Sequence, residues 1–340
     1  MRILLLGGTG FLGARTAHDL AAAGHDVTVL SRGRRAPLEG ISNLIADRRD
    51  AGSMAAALEG SRFDFTVDFS AYDAADVQNL LLVPHAALGR YIMISSGQVY
   101  LVTRSTRTPY REEESERPLM SEPPPGTTDH AQWSYGVAKR RAEGTLLSLR
   151  DSHGVRAVVL RLPVVLGEND VTLRLWAYLE RMLDGAPLIL PNGGRQDTRF
   201  IYAGDVVRVV QELMNCGLPR ESVYNLAQPE TFALREVLER LARSAGATPR
   251  FVDATWDEIE RAGIDRSFSP YAGAWVSVLD PSRAAEEWGF LGTRLEDYVD
   301  AVVRWHLEHR PGESHRGYAQ REREIALVAA IELTLRALNR

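Results

Sequence analysis

Residues 7–13 read GGTGFLG and connect an apolar run, RILLL (2–6), to a stretch with helical character. Gly7, Gly10 and Gly13 are spaced three residues apart. Glycines at this spacing after a strand let the backbone approach a pyrophosphate, and the following helix directs its N-terminus at that group. The stretch predicts a dinucleotide-binding loop, and the alternative of a simple turn fits the surrounding pattern less well.

That pattern is an alternation of short apolar runs and helical stretches through the first hundred residues. The apolar runs are VTVLS (27–31), NLIA (43–46), FTVDF (65–69) and YIMIS (91–95). Strands buried on both faces of a parallel sheet have this composition, and the helices between them supply the crossovers. The predicted fold class is α/β, a Rossmann-type doubly wound parallel sheet with a smaller C-terminal α/β substrate domain.

The domain boundaries follow from a change in pattern near residue 164, after which helices and short strands mix. We predict a nucleotide-binding domain at 1–163, a substrate domain at 164–312 and a C-terminal helical extension at 313–340. VYNLA (223–227) is a candidate to return to the main sheet.

The end of the second strand bears on which dinucleotide is bound. VLSRGRR (29–35) has Ser31 and Arg32 where NAD-binding domains carry an acidic residue that binds the ribose. A hydroxyl and a cluster of guanidinium groups suit a 2′-phosphate, so NADP(H) is favoured and NAD(H) stays open. The alternative is a solvated basic loop. Asp47, after the third strand, either accepts a hydrogen bond from adenine or caps the next helix.

A second motif, QWSYGVAKRRAE (132–143), places Tyr135 and Lys139 four residues apart. On a helix they lie on one face, about one turn apart. A nearby ammonium favours the phenolate and lowers the pKa of a tyrosine, which suits a general acid/base.

GGTGFLG, ISSGQVY (94–100) and YGVAK (135–139) together resemble the extended short-chain dehydrogenase/reductase family, also called the NAD-dependent epimerase/dehydratase family. RLPVVLGEND (161–170) and later segments extend the resemblance over nearly the whole chain. The resemblance implies that Ser96 polarises the reacting oxygen, that Tyr135 is the general acid/base, and that Lys139 holds the nicotinamide ribose. Ser95 is expected to give structural support. The predicted cofactor-binding residues are Gly7, Gly10, Phe11, Leu12, Gly13, Ser31, Arg32, Asp47, Arg48, Ala71, Tyr135, Lys139 and Pro163.

Gly97 and Gln98 narrow the reaction. Family members that dehydrate sugars carry an Asp-Glu pair at these positions, and some epimerases carry a cysteine at the second. Neither glycine nor glutamine titrates, so 4,6-dehydration is not expected. An NADPH-dependent ketoreductase acting on a sugar-like or oxygenated natural product is favoured. A nucleotide-sugar 4-epimerase and a non-catalytic cofactor-sensing or RNA-associated protein stay open.

The substrate is less constrained. Nucleotide-sugar enzymes of the family clamp a diphosphate with two arginines, and here only the first region, GGRQDTRFIYAGD (193–205), carries arginines. Arg266 or Arg283 could substitute for the second. RFIYAGDVV is also explained by a strand followed by a helix with Asp205 as its N-cap. The candidate substrate-binding residues are Gln98, Trp133, Arg195 and Arg199.

Two further segments have open roles. Residues 101–131, rich in proline and acidic residues, are either a lid over the site or a solvated loop. A stripe of Ile325, Val328, Ile331, Leu335 and Leu338 predicts an amphipathic helix, which docks on its own domain or forms a homodimer contact.

The composition favours a soluble cytoplasmic protein with a small-molecule substrate. The net charge of -5 provides no basic field for nucleic acid or for an anionic membrane. A lone cysteine, Cys216, cannot form an intramolecular disulfide or a thiolate metal site. No run approaches the twenty apolar residues of a membrane span, and the N-terminal apolar run is too short for a signal peptide.

Overall fold

The structure is a computed structural model that describes residues 1–83, 87–104 and 107–338. Within these residues the strands are β1 (Arg2–Leu6), β2 (Asp26–Ser31), β3 (Ser42–Ile45), β4 (Phe65–Asp68), β5 (Arg90–Ser96), β6 (Ala157–Leu162), β7 (Val164–Leu166), β8 (Leu188–Pro191), β9 (Asp197–Thr198), β10 (Phe200–Tyr202), β11 (Val223–Asn225), β12 (Phe232–Ala233) and β13 (Phe251–Ala254). The α-helices are α1 (Phe11–Ala22), α2 (Ala51–Leu58), α3 (Ala74–Leu81), α4 (Gln98–Leu101), α5 (Thr128–His153), α6 (Trp176–Leu183), α7 (Ala203–Cys216), α8 (Leu234–Ser244), α9 (Trp256–Arg261), α10 (Ser282–Trp288), α11 (Leu295–Glu308) and α12 (Arg321–Leu338).

Seven strands form one sheet in the order β11-β6-β5-β4-β1-β2-β3, and each neighbouring pair is parallel. The predicted Rossmann-type sheet is confirmed. The chain runs outward from β1 to β3 and then crosses back to β4 on the other side of β1. The strand order therefore reverses between β1 and β4, and the carboxyl ends of strands at such a switch point form the usual ligand crevice of this fold.

The core covers both faces of the sheet because strand residues alternate between them. Ile3 and Leu5 of β1 pack in a cluster with apolar residues of α1 and α7. Leu4 and Leu6 pack on the opposite face with residues of α2, α3 and α5. A strand buried on both faces has a continuous apolar sequence, which is why RILLL could be identified as a central strand.

The chain divides into two compact units whose boundaries differ from the predicted ranges. The first unit contains residues 1–165, 201–229 and 277–292, and the second contains 166–200, 230–276 and 293–340. Residues 223–225 join the main sheet beside β6, as VYNLA suggested. The prediction allowed later segments to return to the sheet but named only VYNLA, whereas the whole of 201–229 and 277–292 belongs to the first unit. Residues 313–338 belong to the second unit, and no separate extension is formed by them.

Helix α7 corrects one prediction about capping. Its N-cap residue is Tyr202, with no side-chain cap, so the expected N-cap role of Asp205 is wrong. Asp205 lies in the first turn, is buried, and forms an ion pair of 2.7 Å with Arg208. A carboxylate in the first turn of a helix is favoured by the helix dipole, which explains why the position reads as an N-terminal signal.

In the second unit, the C-terminal helix α12 docks through the middle of its predicted stripe. Val328 is buried in a cluster with Ile189 and Ile259, and Ile331 packs against the same cluster. Leu338, at the other end of the stripe, is 77% exposed. The homodimer contact stays a prediction, and Asn339 and Arg340 of the predicted extension lie outside the described residues.

Within the described residues, no helix combines the length and apolar character needed to cross a bilayer. No cluster of histidine, cysteine and acidic side chains suited to a metal ion occurs in the same part of the chain.

Candidate active site

The glycine-rich loop connects β1 to α1 at the carboxyl edge of the sheet. Gly10 is the N-cap residue of α1, and no side chain caps this helix end. A β-carbon at Gly13 would overlap the carbonyl oxygen of Gly7, so the loop and the helix can approach this closely only with glycine at position 13. Helix α1 begins with Phe11 and Leu12. Because the N-cap residue Gly10 has no side chain to accept from the first-turn N–H groups, these groups suit a pyrophosphate.

The basic segment after β2 lies beside this loop. Arg35 donates a hydrogen bond of 2.8 Å to the carbonyl oxygen of Thr9, which ties the two segments together. The Ser31 hydroxyl accepts a hydrogen bond from the Gly33 N–H at 3.2 Å. The side chain of Arg32 is exposed, and among the described residues it has no hydrogen-bond or ion-pair partner. These residues fit a cofactor phosphate outside the glycine-rich loop.

Asp47 and Arg48 have different surroundings. Asp50, not Asp47, caps α2 by accepting hydrogen bonds from the N–H groups of Gly52 and Ser53, so the capping alternative for Asp47 is wrong. Asp47 is exposed, and its carboxylate accepts from the Arg49 N–H at 3.0 Å. Its adenine contact stays a prediction.

The guanidinium of Arg48 points into the protein. It forms a bidentate pair with Asp68, at 2.9 and 2.8 Å, and also donates to the Ser70 hydroxyl at 2.9 Å. Tyr91 donates to the same carboxylate at 2.5 Å. Burial alone would raise the pKa of Asp68, but the interactions with Arg48, Tyr91 and Ser70 hold it below its usual value. Since the guanidinium is paired with Asp68, the predicted cofactor contact of Arg48 would be made by its backbone or by the aliphatic part of its side chain.

Lys139 joins helix α5 to the carboxyl ends of β4 and β5. Helix α5 starts after Thr127, which caps it by accepting from the His130 N–H at 3.1 Å. Four residues after Tyr135, the Lys139 Nζ donates to the carbonyl oxygens of Ala71, at 2.8 Å, and Ile94, at 3.0 Å. Burial lowers the pKa of Lys139 to about 8, because nearby carboxylates offset only part of the desolvation.

Ser96, the last residue of β5, lies two residues after Ile94. Its hydroxyl accepts a hydrogen bond from the Gln98 N–H at 3.2 Å. The carboxyl end of β5 and helix α5 thus meet at Lys139, with Ser96 next to this junction. Pro163 directly follows β6, the neighbouring strand, and is buried. The predicted Ser-Tyr-Lys set and the glycine-rich loop all belong to the first unit. Their catalytic and cofactor roles stay predictions.

Beneath this site lies a buried polar network that starts at Ser95. The Ser95 hydroxyl donates to Glu143 at 2.5 Å, and Glu143 forms a 2.7 Å ion pair with Arg161 of β6. Arg161 also donates to the Tyr100 hydroxyl at 2.8 Å, and Tyr100 donates to the Asn225 side chain at 2.6 Å. The network links β5, α5, β6 and β11, which agrees with the structural support expected of Ser95.

The two residues after Ser96 explain why a carboxylate pair is missing. A β-carbon at Gly97 would overlap the side chain of Ser277, so an aspartate cannot be placed there unless Ser277 shifts. The side chain of Gln98 is buried and donates to the Gln132 side chain at 3.2 Å. The Trp133 Nε1 is buried and has no hydrogen-bond partner among the described residues. Substrate binding by Gln98 and Trp133 stays a prediction.

The candidate diphosphate arginines lie in the second unit. Arg195 is exposed, and Arg199 donates to the Thr231 hydroxyl at 3.0 Å. Their substrate role stays a prediction. Of the two possible substitutes, Arg266 pairs with Glu260 at 3.0 Å, and Arg283 lies 3.2 Å from Glu113.

Part of the 101–131 segment, whose described residues omit Ser105 and Thr106, is packed against the rest of the first unit. Tyr110 pairs with Leu279 in a short bridge and is buried. The buried Glu112 carboxylate accepts from the Asn225 N–H at 2.8 Å. Residues around 110–115 are therefore anchored to the sheet edge at β11, which rules out a fully solvated loop for this stretch. A lid role for the rest stays a prediction.

Sequence reasoning missed two features of the site. Lys139 is the only lysine of the chain, so arginine supplies every other side chain among its 40 Lys and Arg residues. That count was available from the sequence and singles out this position. Tyr72 lies on the loop after β4, and its ring contacts both Lys139 and Tyr135. An exposed tyrosine in a loop carries no sequence signal for such a contact.

Comparisons with known proteins agree with this geometry. A family model described as the NAD dependent epimerase/dehydratase family matches residues 3–227. The chain is 27% identical to the 2'-dehydrokanamycin reductase of Streptomyces kanamyceticus over 291 residues, which cover 82% of this chain and 77% of that protein. It is 26% identical to the UDP-glucose 4-epimerase of Streptomyces lividans over 340 residues, which cover 93% of this chain and 99% of that protein.

Among solved structures, the UDP-glucose 4-epimerase of Thermotoga maritima, determined with UDP-glucose, aligns with a TM-score of 0.71. The alignment covers 92% of this chain and 100% of that chain at 20% identity. Similarity at this level of identity demonstrates a shared fold.

Proposed function

Because this chain belongs to the NAD dependent epimerase/dehydratase family, we propose that it is a reductase that transfers hydride from NADPH to the carbonyl carbon of a sugar-like or oxygenated substrate. Family membership makes it an NAD-dependent oxidoreductase of the extended short-chain type. The proposal adds the direction of the reaction, the phosphorylated cofactor and the substrate class.

The observation that carries the proposal is the junction at Lys139. Its Nζ donates to the carbonyl oxygens of Ala71, in the loop after β4, and of Ile94, within β5. This contact brings the helix with Tyr135 to the strand end with Ser96, at the carboxyl edge where the uncapped α1 N-terminus suits a pyrophosphate. The arrangement supports acid/base chemistry next to a dinucleotide.

When bound at this site, a reduced nicotinamide would supply a hydride to the carbonyl carbon of the substrate. The Ser96 hydroxyl donates a hydrogen bond to the carbonyl oxygen and stabilises its developing negative charge. Tyr135 transfers its phenolic proton to that oxygen, which yields the alcohol. The Lys139 ammonium stabilises the phenolate that remains on Tyr135.

Reduction is favoured by two observations. Gly97 has no room for a β-carbon, which supports excluding the carboxylate chemistry of the 4,6-dehydratases. The reductase of Streptomyces kanamyceticus is a relative over most of both chains. A 4-epimerase is the second candidate, because the epimerase of Streptomyces lividans aligns over nearly its whole length.

The test is a set of assays on the purified chain. A panel of ketones and oxidised sugars, including 2'-dehydrokanamycin, is incubated with NADPH or with NADH, and loss of the reduced nicotinamide is followed. A reductase consumes NADPH with at least one carbonyl compound. If the protein instead contains tightly bound NAD⁺ and converts UDP-glucose to UDP-galactose with no added reductant, the epimerase is correct and the reductase proposal is wrong.

Replacing Arg32 by alanine is expected to weaken NADPH binding about 10- to 100-fold, because hydrogen bonds to charged groups contribute roughly 1.5–3 kcal/mol. NADH lacks the 2′-phosphate, so its Kd should not change. Fluorescence titration of both cofactors measures this selectivity. Arg62→Ala is the matched control, since this arginine is also exposed but precedes β4 at the opposite edge of the sheet. Equal losses for NADPH and NADH would contradict the 2′-phosphate assignment.

The rate of reduction is expected to fall as the pH rises through about 8, the pKa to which burial lowers Lys139. Above that pH the neutral amine no longer stabilises the phenolate left on Tyr135. The dependence of kcat on pH tests this. The pKa of Lys139 itself can be measured by NMR on protein labelled with [¹³C]lysine, because Lys139 is the only lysine of the sequence and gives the only labelled signal. A flat kcat profile across the measured titration midpoint of Lys139 would contradict the role of the ammonium.

A further inference from the structure

Tyr72 is an aromatic residue beside the catalytic pair to which the proposed reaction assigns no role. Its side chain is 50% exposed, so it is not part of the core. The loop that carries it is nevertheless well held, because the Asp76 carboxylate accepts hydrogen bonds from the N–H groups of Tyr72, at 2.8 Å, and Asp73, at 3.1 Å. Asp76 is itself 3.3 Å from the Arg48 guanidinium. The backbone that carries this exposed ring is thus held by the Asp76 carboxylate, which is itself paired with Arg48.

The ring of Tyr72 lies over the amino group of Lys139. The Nζ atom is 5.4 Å from the ring centroid, within the range of a cation–π interaction. An ammonium has three N–H donors, and two of them are used by the carbonyl oxygens of Ala71 and Ile94. Among the described residues Lys139 has no third hydrogen bond, and the Tyr72 ring is an aromatic face within reach of its ammonium.

The same ring also contacts the catalytic tyrosine. The centroids of Tyr72 and Tyr135 are 6.3 Å apart, and the ring planes are tilted by 53°. Tilted aromatic pairs at this separation attract one another by roughly 0.5–1.5 kcal/mol beyond their buried area. One side chain therefore touches both members of the Tyr-Lys pair.

The remaining charges around Lys139 do not replace this contact. Asp68, Asp76 and Glu143 favour its ammonium form, and Arg48 disfavours it. None of these four side chains hydrogen bonds to Nζ in the described part of the chain. Asp68 and Asp76 share one guanidinium, that of Arg48, and Glu143 pairs with Arg161, so these carboxylates act on Lys139 as charges at a distance and leave the position beside its ammonium to the Tyr72 ring.

We infer that Tyr72 is a positioning residue for the Tyr135–Lys139 pair, whose ring covers the Lys139 ammonium and holds both side chains in their reactive arrangement. The inference rests on the proposed function for its catalytic consequence. The ring carries the effect, because the Tyr72 hydroxyl has no hydrogen-bond partner among the described residues. Phenylalanine should therefore replace Tyr72 without loss, whereas leucine keeps the cover but removes the π face.

The test compares Tyr72→Phe and Tyr72→Leu with the parent chain, each labelled with [¹³C]lysine. Because Lys139 is the only lysine, its titration is observed without interference. Tyr72→Leu is expected to lower the titration midpoint by about half a pH unit, since the lost cation–π attraction disfavours the ammonium. Tyr72→Phe should titrate as the parent does. Equal thermal midpoints of all three proteins establish that folding is unchanged.

Two results would overturn the inference: a Tyr72→Leu midpoint equal to that of the parent, or an equal shift in both variants, which would assign the effect to the hydroxyl. With a confirmed substrate, Tyr72→Leu should lower kcat about 3-fold, the factor equivalent to half a pH unit, leave the KM for NADPH unchanged, and move the alkaline limb downward by the same half unit. If the NMR shift occurs but no carbonyl compound is reduced, the proposed function fails and the contact between Tyr72 and Lys139 stands.

Discussion

Replacing Tyr135 by phenylalanine is expected to lower kcat by about 10²- to 10⁴-fold, the usual contribution of a positioned general acid. The variant loses one hydroxyl, and with it the proton that neutralises the oxygen of the substrate. The ring remains, so its contact with Tyr72 and the packing of α5 are kept. Cofactor binding should survive, because the glycine-rich loop is not altered.

The measurement is kcat for a confirmed carbonyl substrate, together with the Kd for NADPH. Tyr224→Phe is the matched control, since this tyrosine of β11 also has a hydrogen-bonded hydroxyl, which accepts from the Glu221 N–H at 2.9 Å. It should retain near-parental kcat. A Tyr135→Phe variant with near-parental kcat would remove Tyr135 from the mechanism.

Replacing Arg161 by methionine should lower the free energy of unfolding by about 3–5 kcal/mol, the range measured when one partner of a buried ion pair is removed. Arg161 and Glu143 are each 5% exposed. Methionine leaves the Glu143 carboxylate buried with the Ser95 hydroxyl as its remaining partner in the network. The Tyr100 hydroxyl also loses a charged donor.

Denaturant unfolding of the variant measures this loss. Arg294→Met is the control, because Arg294 also forms ion pairs with glutamate, here Glu230 and Glu296, but is 58% exposed, and exposed pairs contribute at most about 1 kcal/mol. The double variant Arg161→Met/Glu143→Leu should recover much of the stability, since it leaves no unpaired buried charge. A single variant as stable as the Arg294 control would show that the network contributes little to folding.

The parts of the fold and site that the sequence predicts are those encoded by local pattern. RILLL reads as a central strand because residues on both faces are apolar, and Tyr135 and Lys139 share a helix face because they are four residues apart. The glycine-rich loop likewise depends on neighbours in sequence, with Gly7 and Gly13 packed against each other. Such features need no knowledge of distant partners.

Features that depend on distant partners could not be predicted in the same way. Arg48 was predicted to bind the cofactor, which stays a prediction, but the pairing of its guanidinium with Asp68, twenty positions along the chain, could not be read from the sequence. Glu112 lies in an acidic segment that reads as solvated, yet its carboxylate binds the backbone of Asn225, 113 positions away. The N-cap residue of α2 is Asp50 and not Asp47, because the helix begins at Ala51 and, of the two, only the Asp50 carboxylate reaches the N–H groups of Gly52 and Ser53.

The late return of β11 to the sheet has a consequence for synthesis on the ribosome. When residues 1–165 have emerged, six strands of the sheet exist, but β6 has no neighbour on its outer side until Val223–Asn225 appears. An unpaired apolar strand edge is prone to join other chains. In the nascent first half the sheet therefore lacks β11, and the Glu112 carboxylate and the Tyr100 hydroxyl lack the hydrogen bonds that they later form with Asn225. A gene truncated after residue 165 should accordingly yield an aggregating product and not a free nucleotide-binding module.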